Sequence, residues 1–205
     1  MDYGLDCASV GWYAIDDIGI AYGYKELHRS NLIVSELAEL IHEMTSPLER
    51  DALAYTVIPP DFFNKRNHET GKTGRQLLIE NGMRGYGMKQ ADTRRVEGWR
   101  LCKEYLKPIA DPYADKDETS KKTARILFLK GHMPNLCSHL PLLQHADNDP
   151  NDVALNPHDI THAPDQFRYF AMSRPPLRSI TVKERQKSRK KHEKLMEPIY
   201  QKCGY

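Results

Sequence analysis

The first 45 residues change their hydrophobic period once, and this change constrains the fold more than any other feature. Residues 9–16 and 20–27 are two apolar-rich runs typical of β-strands, and the short turn between them, residues 17–19, predicts a hairpin. Over residues 34–44 the apolar positions recur at helical spacing, which predicts an amphipathic helix. A hairpin followed directly by a helix indicates an α/β domain whose sheet is mixed.

The rest of the chain continues this alternation. A short apolar run predicts a buried strand over residues 53–58, and residues 124–129 predict another strand. Residues 111–123 and 146–160 are polar and predict loops. Helices are predicted over 74–81 (ended by Gly82), 93–106 (capped by Asp92), 135–144 and 162–173. The sequence therefore predicts an α/β domain with helices packed on a mixed sheet.

Length and charge divide the chain into a domain and a tail. The 205 residues fit one domain over 1–175 and a basic C-terminal tail over 176–205. The net charge is only +2, yet residues 178–205 carry nine Lys or Arg against three Glu. This charge favours contact with a polyanion or a solvated, partly helical extension.

Cysteine usage and hydropathy favour a soluble protein of a reducing compartment. The four cysteines form no Cys-x-x-Cys pair, which predicts the cytoplasm and no disulfide framework. We expect no membrane span, since no apolar run approaches the roughly 18 residues that a span needs. The N-terminus also lacks the basic flank and apolar core of a signal peptide.

Three aspartates occupy positions where a metal site can form. Asp2 lies in Asp-Tyr-Gly, residues 2–4, at what would be the first strand of the sheet. Asp61 follows the strand over 53–58 after two prolines, and Asp165 lies in the first turn of the last predicted helix. Ligands of open α/β sheets gather at strand ends, and a helix dipole favours an ionised carboxylate in a first turn. Three carboxylates form a hard-oxygen site suited to Mg²⁺ or Mn²⁺.

Several segments resemble the nuclease domain of phage terminase large subunits. Residues 2–19 resemble its first motif, and residues 21–27 continue it. Residues 70–106, with Glu-Asn-Gly-Met and Arg-Val-Glu-Gly-Trp-Arg-Leu, resemble the middle of that domain. Residues 162–169, His-Ala-Pro-Asp-Gln-Phe-Arg-Tyr, resemble its closing motif. The resemblance spans roughly residues 2–174, and its specificity comes from the order and spacing of the motifs.

The resemblance implies a ribonuclease H-like fold and an endonuclease that cuts concatemeric double-stranded viral DNA during genome packaging. It implies two Mg²⁺ or Mn²⁺ ions on Asp2, Asp61 and Asp165, in the cytoplasm of an infected bacterial host. The implied partners are DNA, the terminase ATPase domain, the small terminase subunit and the portal. The motifs of the ATPase motor are not among these residues.

The closing motif departs from the family pattern at one position. The family often has an acidic residue before the closing histidine, and this chain has Thr161 there, with Asp159 two residues earlier. The prolines before Asp61 are also unusual for the family. We therefore place Asp2 and Asp165 ahead of Asp61 as ligands.

Further polar residues are candidates for supporting roles. Asp6, Glu26, Asp159 and His162 are candidates for contacts that hold the metal ligands in place, and strand-surface or turn roles explain Asp6 and Glu26 equally well. His158 and His162 also have the spacing of two zinc ligands on one helical face, although no further Cys or His pair supports zinc. Candidate DNA-phosphate contacts are Lys89, Arg94, Arg95, Arg100 and Arg168, unless these belong to a solvated helix face.

Two other functions remain open from sequence. One is a different ribonuclease H-like DNA nuclease, such as a junction resolvase or a transposase core. The other is a DNA-docking module of the packaging machine that carries no catalytic activity.

Overall fold

Helices cover both faces of a mixed β-sheet. The computed structural model describes residues 1–4, 6–68, 70–114, 121–174, 186–187 and 190–191. The basic tail predicted over 176–205 therefore lies almost wholly outside the described residues.

Each predicted strand and helix has a counterpart in the structure, and further short elements lie between them. The strands are β1 (Asp2–Tyr3), β2 (Cys7–Ile15), β3 (Ala21–Ser30), β4 (Thr56–Ile58), β5 (Met88–Gln90), β6 (Ile109–Ala110), β7 (Lys122–Thr123), β8 (Ile126–Phe128), β9 (His145–Ala146) and β10 (Asp149–Val153). The α-helices are α1 (Val34–Met44), α2 (Pro47–Ala52), α3 (Asp61–Asn64), α4 (Gly74–Leu78), α5 (Arg95–Leu106), α6 (Pro134–His139) and α7 (His162–Ser173).

The main sheet has four strands in the order β1-β2-β3-β8. The hairpin strands β2 and β3 pair antiparallel over their whole length, and β8 joins β3 in parallel. The predicted mixed sheet is thereby confirmed. Strand β4 lies beside β1, because the Met1 amine donates to the carbonyl of Val57 at 2.8 Å, and β4 pairs in parallel with β5.

Two consecutive residues of β2 show how the sheet separates two helical layers. The Trp12 indole N–H donates to Thr45 Oγ1, at the end of α1, at 3.0 Å. The Tyr13 hydroxyl donates to Gln166 Oε1, in α7, at 3.0 Å. Successive side chains of a strand point to opposite faces, so α1 and α7 lie on opposite sides of the sheet. Separate apolar clusters fill the two sides.

The predicted helix bounds agree best where an apolar face is long. Both α1 and α7 span the predicted residues. Helix α5 begins at Arg95, two residues after the predicted start, because the carboxylate of Asp92 accepts the amide N–H of Arg94 ahead of the first turn. The helix that starts at Gly74 passes into a π-turn over Ile79–Met83, where Gly82 has a φ of 103°.

Several short elements were not predicted, among them α2, β9 and β10. Helix α2 follows Ser46, whose side chain and that of Glu49 cap each other's backbone amides. Strands β9 and β10 form an antiparallel pair that begins at His145 and extends into the segment predicted as a loop over 146–160. Within the part of the chain that is described, no helix combines the length and the apolar character that crossing a membrane requires.

Candidate functional site

Asp2 and His162 meet where β1 passes the first turn of α7. His162 is the first residue of α7, and its side chain is 4% exposed, against 16% for that of Asp2. Nδ1 of His162 lies 2.8 Å from Oδ2 of Asp2. One hydrogen bond between nearly buried groups therefore joins the start of the chain to α7.

Asp6 and His158 lie on the solvent side of this contact. Nε2 of His162 is 3.0 Å from Oδ2 of Asp6, and Nδ1 of His158 is 2.9 Å from the same oxygen. The two imidazole rings pack edge to face with centroids 4.6 Å apart. Asp6 and His158 are both more than half exposed. We call Asp2, Asp6, His158 and His162 the histidine cluster. Its Asp2 and His162 side chains are mostly buried, and its Asp6 and His158 side chains face solvent.

Opposite charges alternate along Asp2, His162 and Asp6. The hydrogen bond to Asp2 raises the pKa of His162 to about 9, and Asp6 contributes in the same direction, while burial opposes both. The hydrogen bond from His162 in turn holds the pKa of Asp6 well below its usual range. At neutral pH His162 is therefore an imidazolium that donates to one carboxylate from each ring nitrogen.

Asp165 lies one turn further along α7 and is held by arginines. Arg168 Nε donates to Asp165 Oδ1 at 2.8 Å, and Arg95 Nη1 lies 3.8 Å from Oδ2. Burial raises the pKa of Asp165 even though Arg168 opposes the shift, and the charge of Asp2 raises it further. Burial thus acts against the ionised form that the position in the first turn was expected to favour, and the ionisation of this carboxyl stays a prediction.

Arg168 is a buried partner of Asp165. Its side chain is 2% exposed, and its guanidinium carbon lies 4.6 Å from the ring centre of Tyr169 and 5.5 Å from that of Trp99. Nη1 also donates to the carbonyl of Thr93 at 3.4 Å. The prediction that Arg168 contacts DNA was wrong, because a guanidinium enclosed in this way cannot reach a phosphate.

Arg95 extends the contacts of Asp165 to strand β10. Its Nε donates to both carboxylate oxygens of Asp152, at 3.1 and 3.0 Å, and its Nη2 donates to the carbonyl of Val153 at 2.8 Å. The indole N–H of Trp99 donates to Asp152 as well, at 3.1 Å. We call Asp165, Arg168, Arg95 and Asp152 the arginine cluster. Its cations already have carboxylate partners, so Arg95 has little capacity left for a phosphate.

The other predicted DNA contacts lie on the surface. Lys89, Arg94 and Arg100 are all exposed. The ammonium of Lys89 lies 4.1 Å from the ring centre of Tyr55, and Arg94 Nη2 donates to Asp92 at 2.6 Å. All three side chains reach solvent, although Arg94 is already paired with Asp92, and their role in DNA binding stays a prediction.

Asp61 is the first residue of α3 and faces solvent. Its side chain is 63% exposed and accepts a hydrogen bond of 2.6 Å from Lys65. The neighbouring Phe62 packs edge to face on Tyr3, with ring centroids 5.2 Å apart, so α3 begins beside β1. Within the described residues no hydrogen bond or ion pair joins Asp61 to either cluster. Its role as a metal ligand stays a prediction.

Two of the supporting residues take other positions. Glu26 accepts the backbone N–H groups of Asn135 and Leu136, at 2.8 and 2.9 Å, and so stabilises the start of α6. Asp159 is exposed in the 3₁₀ turn that precedes α7. Of the four residues predicted to support the site, Asp6 and His162 are the two that contact Asp2 or its partner.

The site offers two kinds of metal donor. Asp2 and Asp165 supply carboxylate oxygens, which suit hard cations such as Mg²⁺. Asp6, His158 and His162 supply one oxygen and two nitrogens, and one ligand atom from each lies within 4.8 Å of the others. The spacing of His158 and His162 was visible in the sequence, whereas the approach of Asp6 to them required the fold.

Comparison with family models, with curated proteins and with solved structures gives no match to this chain. Any function assigned to the chain therefore depends on its own residues and on the geometry of the histidine and arginine clusters.

Proposed function

We propose that the chain is a divalent-metal-dependent endonuclease for double-stranded DNA, with a ribonuclease H-like fold, of the kind found in phage terminase large subunits. The observation that carries the proposal is the position of Asp2 and Asp165. They come from opposite ends of the domain, yet both lie at the first turns of α7, with side chains 16% and 15% exposed. The negative charge of Asp2 contributes to the raised pKa of Asp165.

The donor set fits a hard divalent cation. Asp2 and Asp165 would hold such an ion, and its charge would offset the repulsion between these two mostly buried carboxylates. Among the described residues, Asp2 receives its hydrogen bond from His162 on Oδ2, which leaves Oδ1 for such an ion. The oxygen ligands predicted from the sequence thus suit Mg²⁺ or Mn²⁺ better than a softer metal.

In this proposal the protein positions groups rather than reacting itself. Bound ions would supply an activated water and neutralise the charge that develops on the phosphate. His162 holds the Asp2 carboxylate, and Arg168 holds that of Asp165, so neither ligand has to be ordered when DNA arrives. Asp61 completes the ligand set once its carboxylate leaves Lys65.

The resemblance also supplies the proposed context. The chain would act in the cytoplasm of an infected bacterium on concatemeric viral DNA. Its partners would be the terminase ATPase domain, the small terminase subunit and the portal. The exposed Lys89, Arg94 and Arg100 are the side chains that we propose for phosphate contact.

Nicking of a supercoiled plasmid in Mg²⁺ or Mn²⁺ tests this function. We expect cleavage by the wild type, and a loss of at least roughly 100-fold for Asp2→Asn, Asp61→Asn and Asp165→Asn, because removing a ligand costs more than removing an outer partner. Asp51→Asn is the matched control, since Asp51 is exposed in α2. Circular dichroism of each variant checks the fold.

Other results of the nicking assay would contradict the site or favour a different function. Full activity of Asp2→Asn and Asp165→Asn contradicts the site, and full activity of Asp61→Asn alone removes only that ligand. A metal-binding wild type that does not cleave would be a docking module. Preferential cleavage of branched DNA would indicate a resolvase.

A further inference from the structure

We propose that Asp6, His158 and His162 form a second metal site, which binds an ion of the Zn²⁺ class next to the hard-cation site on Asp2 and Asp165. The inference does not depend on nuclease activity. It rests on the donor atoms, on the orientation of one of them, and on the space around them.

Two of the three pairs of donor atoms lie close to the spacing that tetrahedral coordination requires, and one ligand atom of each residue lies within 4.8 Å of the others. With bonds of 2.0–2.1 Å, the ligand atoms of a tetrahedral zinc site are about 3.3 Å apart. The Asp6 oxygen lies 3.0 Å from Nε2 of His162 and 2.9 Å from Nδ1 of His158. Small side-chain rotations of the two exposed residues would let all three atoms face one ion.

The buried histidine is oriented as a zinc ligand is. Histidines that bind metals usually donate the other ring nitrogen to a carboxylate, which fixes the tautomer and the direction of the ligand atom. Nδ1 of His162 makes this contact with Asp2 at 2.8 Å, and it leaves Nε2 pointing at Asp6. Asp2 is thus an outer partner of this site as well as a candidate ligand of the other.

A glycine leaves the space that the ligands occupy. A Cβ atom at Gly4 would lie 2.4 Å from Oδ1 of Asp6 and 3.1 Å from Cε1 of His162. The close approach of these two side chains therefore requires the absence of a side chain at residue 4.

The donor chemistry selects the class of ion. Two imidazole nitrogens and one carboxylate favour Zn²⁺ and its neighbours over Mg²⁺, and three protein ligands leave a fourth position open. His158 and Asp6 are 59% and 55% exposed, so an ion has access from solvent. When bound, it would join the connection between β1 and β2 to the start of α7.

The test is equilibrium metal binding by the full chain. We expect one equivalent of Zn²⁺ to bind in competition with a chromophoric chelator and in the presence of excess Mg²⁺. Co²⁺ in its place should give the intense visible absorption of tetrahedral coordination. Asp2→Asn should weaken Zn²⁺ binding roughly 10–100-fold, as loss of an outer carboxylate does, and Asp6→Asn and His158→Ala should weaken it more.

Matched controls keep the result specific. Asp159→Asn and His132→Ala remove an exposed carboxylate and an exposed imidazole outside the site, and both should bind Zn²⁺ like the wild type. Zn²⁺ should also raise the unfolding temperature of the wild type and leave that of Asp6→Asn unchanged.

Weak octahedral Co²⁺ absorption, or equal Zn²⁺ affinity in wild type, Asp6→Asn and His158→Ala, would overturn the proposal. The cluster would then be an ion-pair network alone. Since plasmid cleavage in Mg²⁺ is a separate measurement, failure of this site and failure of the nuclease function are distinguishable.

Discussion

The two carboxylates that begin and end the candidate site are held by different kinds of cation. Asp2 is held by His162, whose charge depends on pH. A metal that binds Nε2 of His162 displaces the proton there and so removes the positive charge of the ring. Asp165 is held by Arg168, whose guanidinium stays charged throughout the ordinary pH range. The charge beside Asp2 therefore changes with pH and with metal binding, whereas the charge beside Asp165 does not. Substitutions and changes of pH can test this contrast.

Removal of the Arg168 guanidinium should have the largest effect on stability. Arg168→Met leaves Asp165 mostly buried without its closest partner, and we expect a loss of about 3–5 kcal/mol in the free energy of unfolding. Urea denaturation measures this loss. Arg94→Met removes an exposed arginine paired with Asp92 and should leave stability unchanged. Equal effects of the two substitutions would mean that Arg168 contributes no more than a surface pair does.

A smaller effect is expected from crowding the arginine cluster without removing a charge. A Cβ at Gly98, in α5, would lie 2.6 Å from Cγ and 2.8 Å from Cδ of Arg168. Gly98→Ala should therefore cost about 1–3 kcal/mol, although alanine is the better helix former. The exposed neighbour Glu97, changed to alanine, is the control and should be neutral. If Gly98→Ala instead stabilised the protein, α5 and α7 would be able to move apart enough to accommodate the added methyl group.

The hydrogen bonds of His162 in the histidine cluster should make the free energy of unfolding depend on pH. The pKa of His162 is about 9 in the folded protein, against an ordinary value of 6.5. Its contribution is complete below pH 6.5 and is lost as the pH rises through 9, because the unfolded chain gives up this proton first. Without metal, we expect about 1–2 kcal/mol less stability above pH 9 from this group, after allowing for solvent screening.

The measurement has to separate His162 from a second buried group. Burial lowers the pKa of the Met1 amine from 8.0 to about 5, so this group makes stability rise with pH between those two values. The informative quantity is therefore the difference between wild type and Asp2→Asn in urea denaturation above pH 8, where the Met1 amine has lost its proton in both the folded and the unfolded chain. Identical pH profiles would show that Asp2 does not hold the imidazolium.

Sequence predicted the parts of the fold that have a long periodic signal. Helices α1 and α7 were predicted with their bounds because each has an apolar face of three turns. Strand β10, Asp-Pro-Asn-Asp-Val, has little β-propensity, and its Asp152 contacts Arg95 and Trp99, more than 50 residues away. Helix α2 did carry a local signal, since Ser46 and Glu49 have the spacing of a capping box.

The sequence predicted which types of residue form the candidate site, but it predicted few of the contacts between them. The positions of Asp2 and Asp165 at a strand and at a helix start followed from local pattern. Burial of Arg168 did not, because a charged residue in a helix is normally solvated, and only the packing of α5 against α7 encloses it. The convergence of Asp6 with His158 likewise depends on the tertiary fold.

The hydrogen bond between Asp2 and His162 joins residues 160 positions apart in the chain. A contact of such separation carries a loop-closure cost in entropy unless the intervening chain is already ordered. During synthesis from the N-terminus, Asp2 emerges long before α7 exists. A partly synthesised or partly folded chain therefore has neither of the two proposed metal sites, and the capacity to bind metal would report that this domain has been completed.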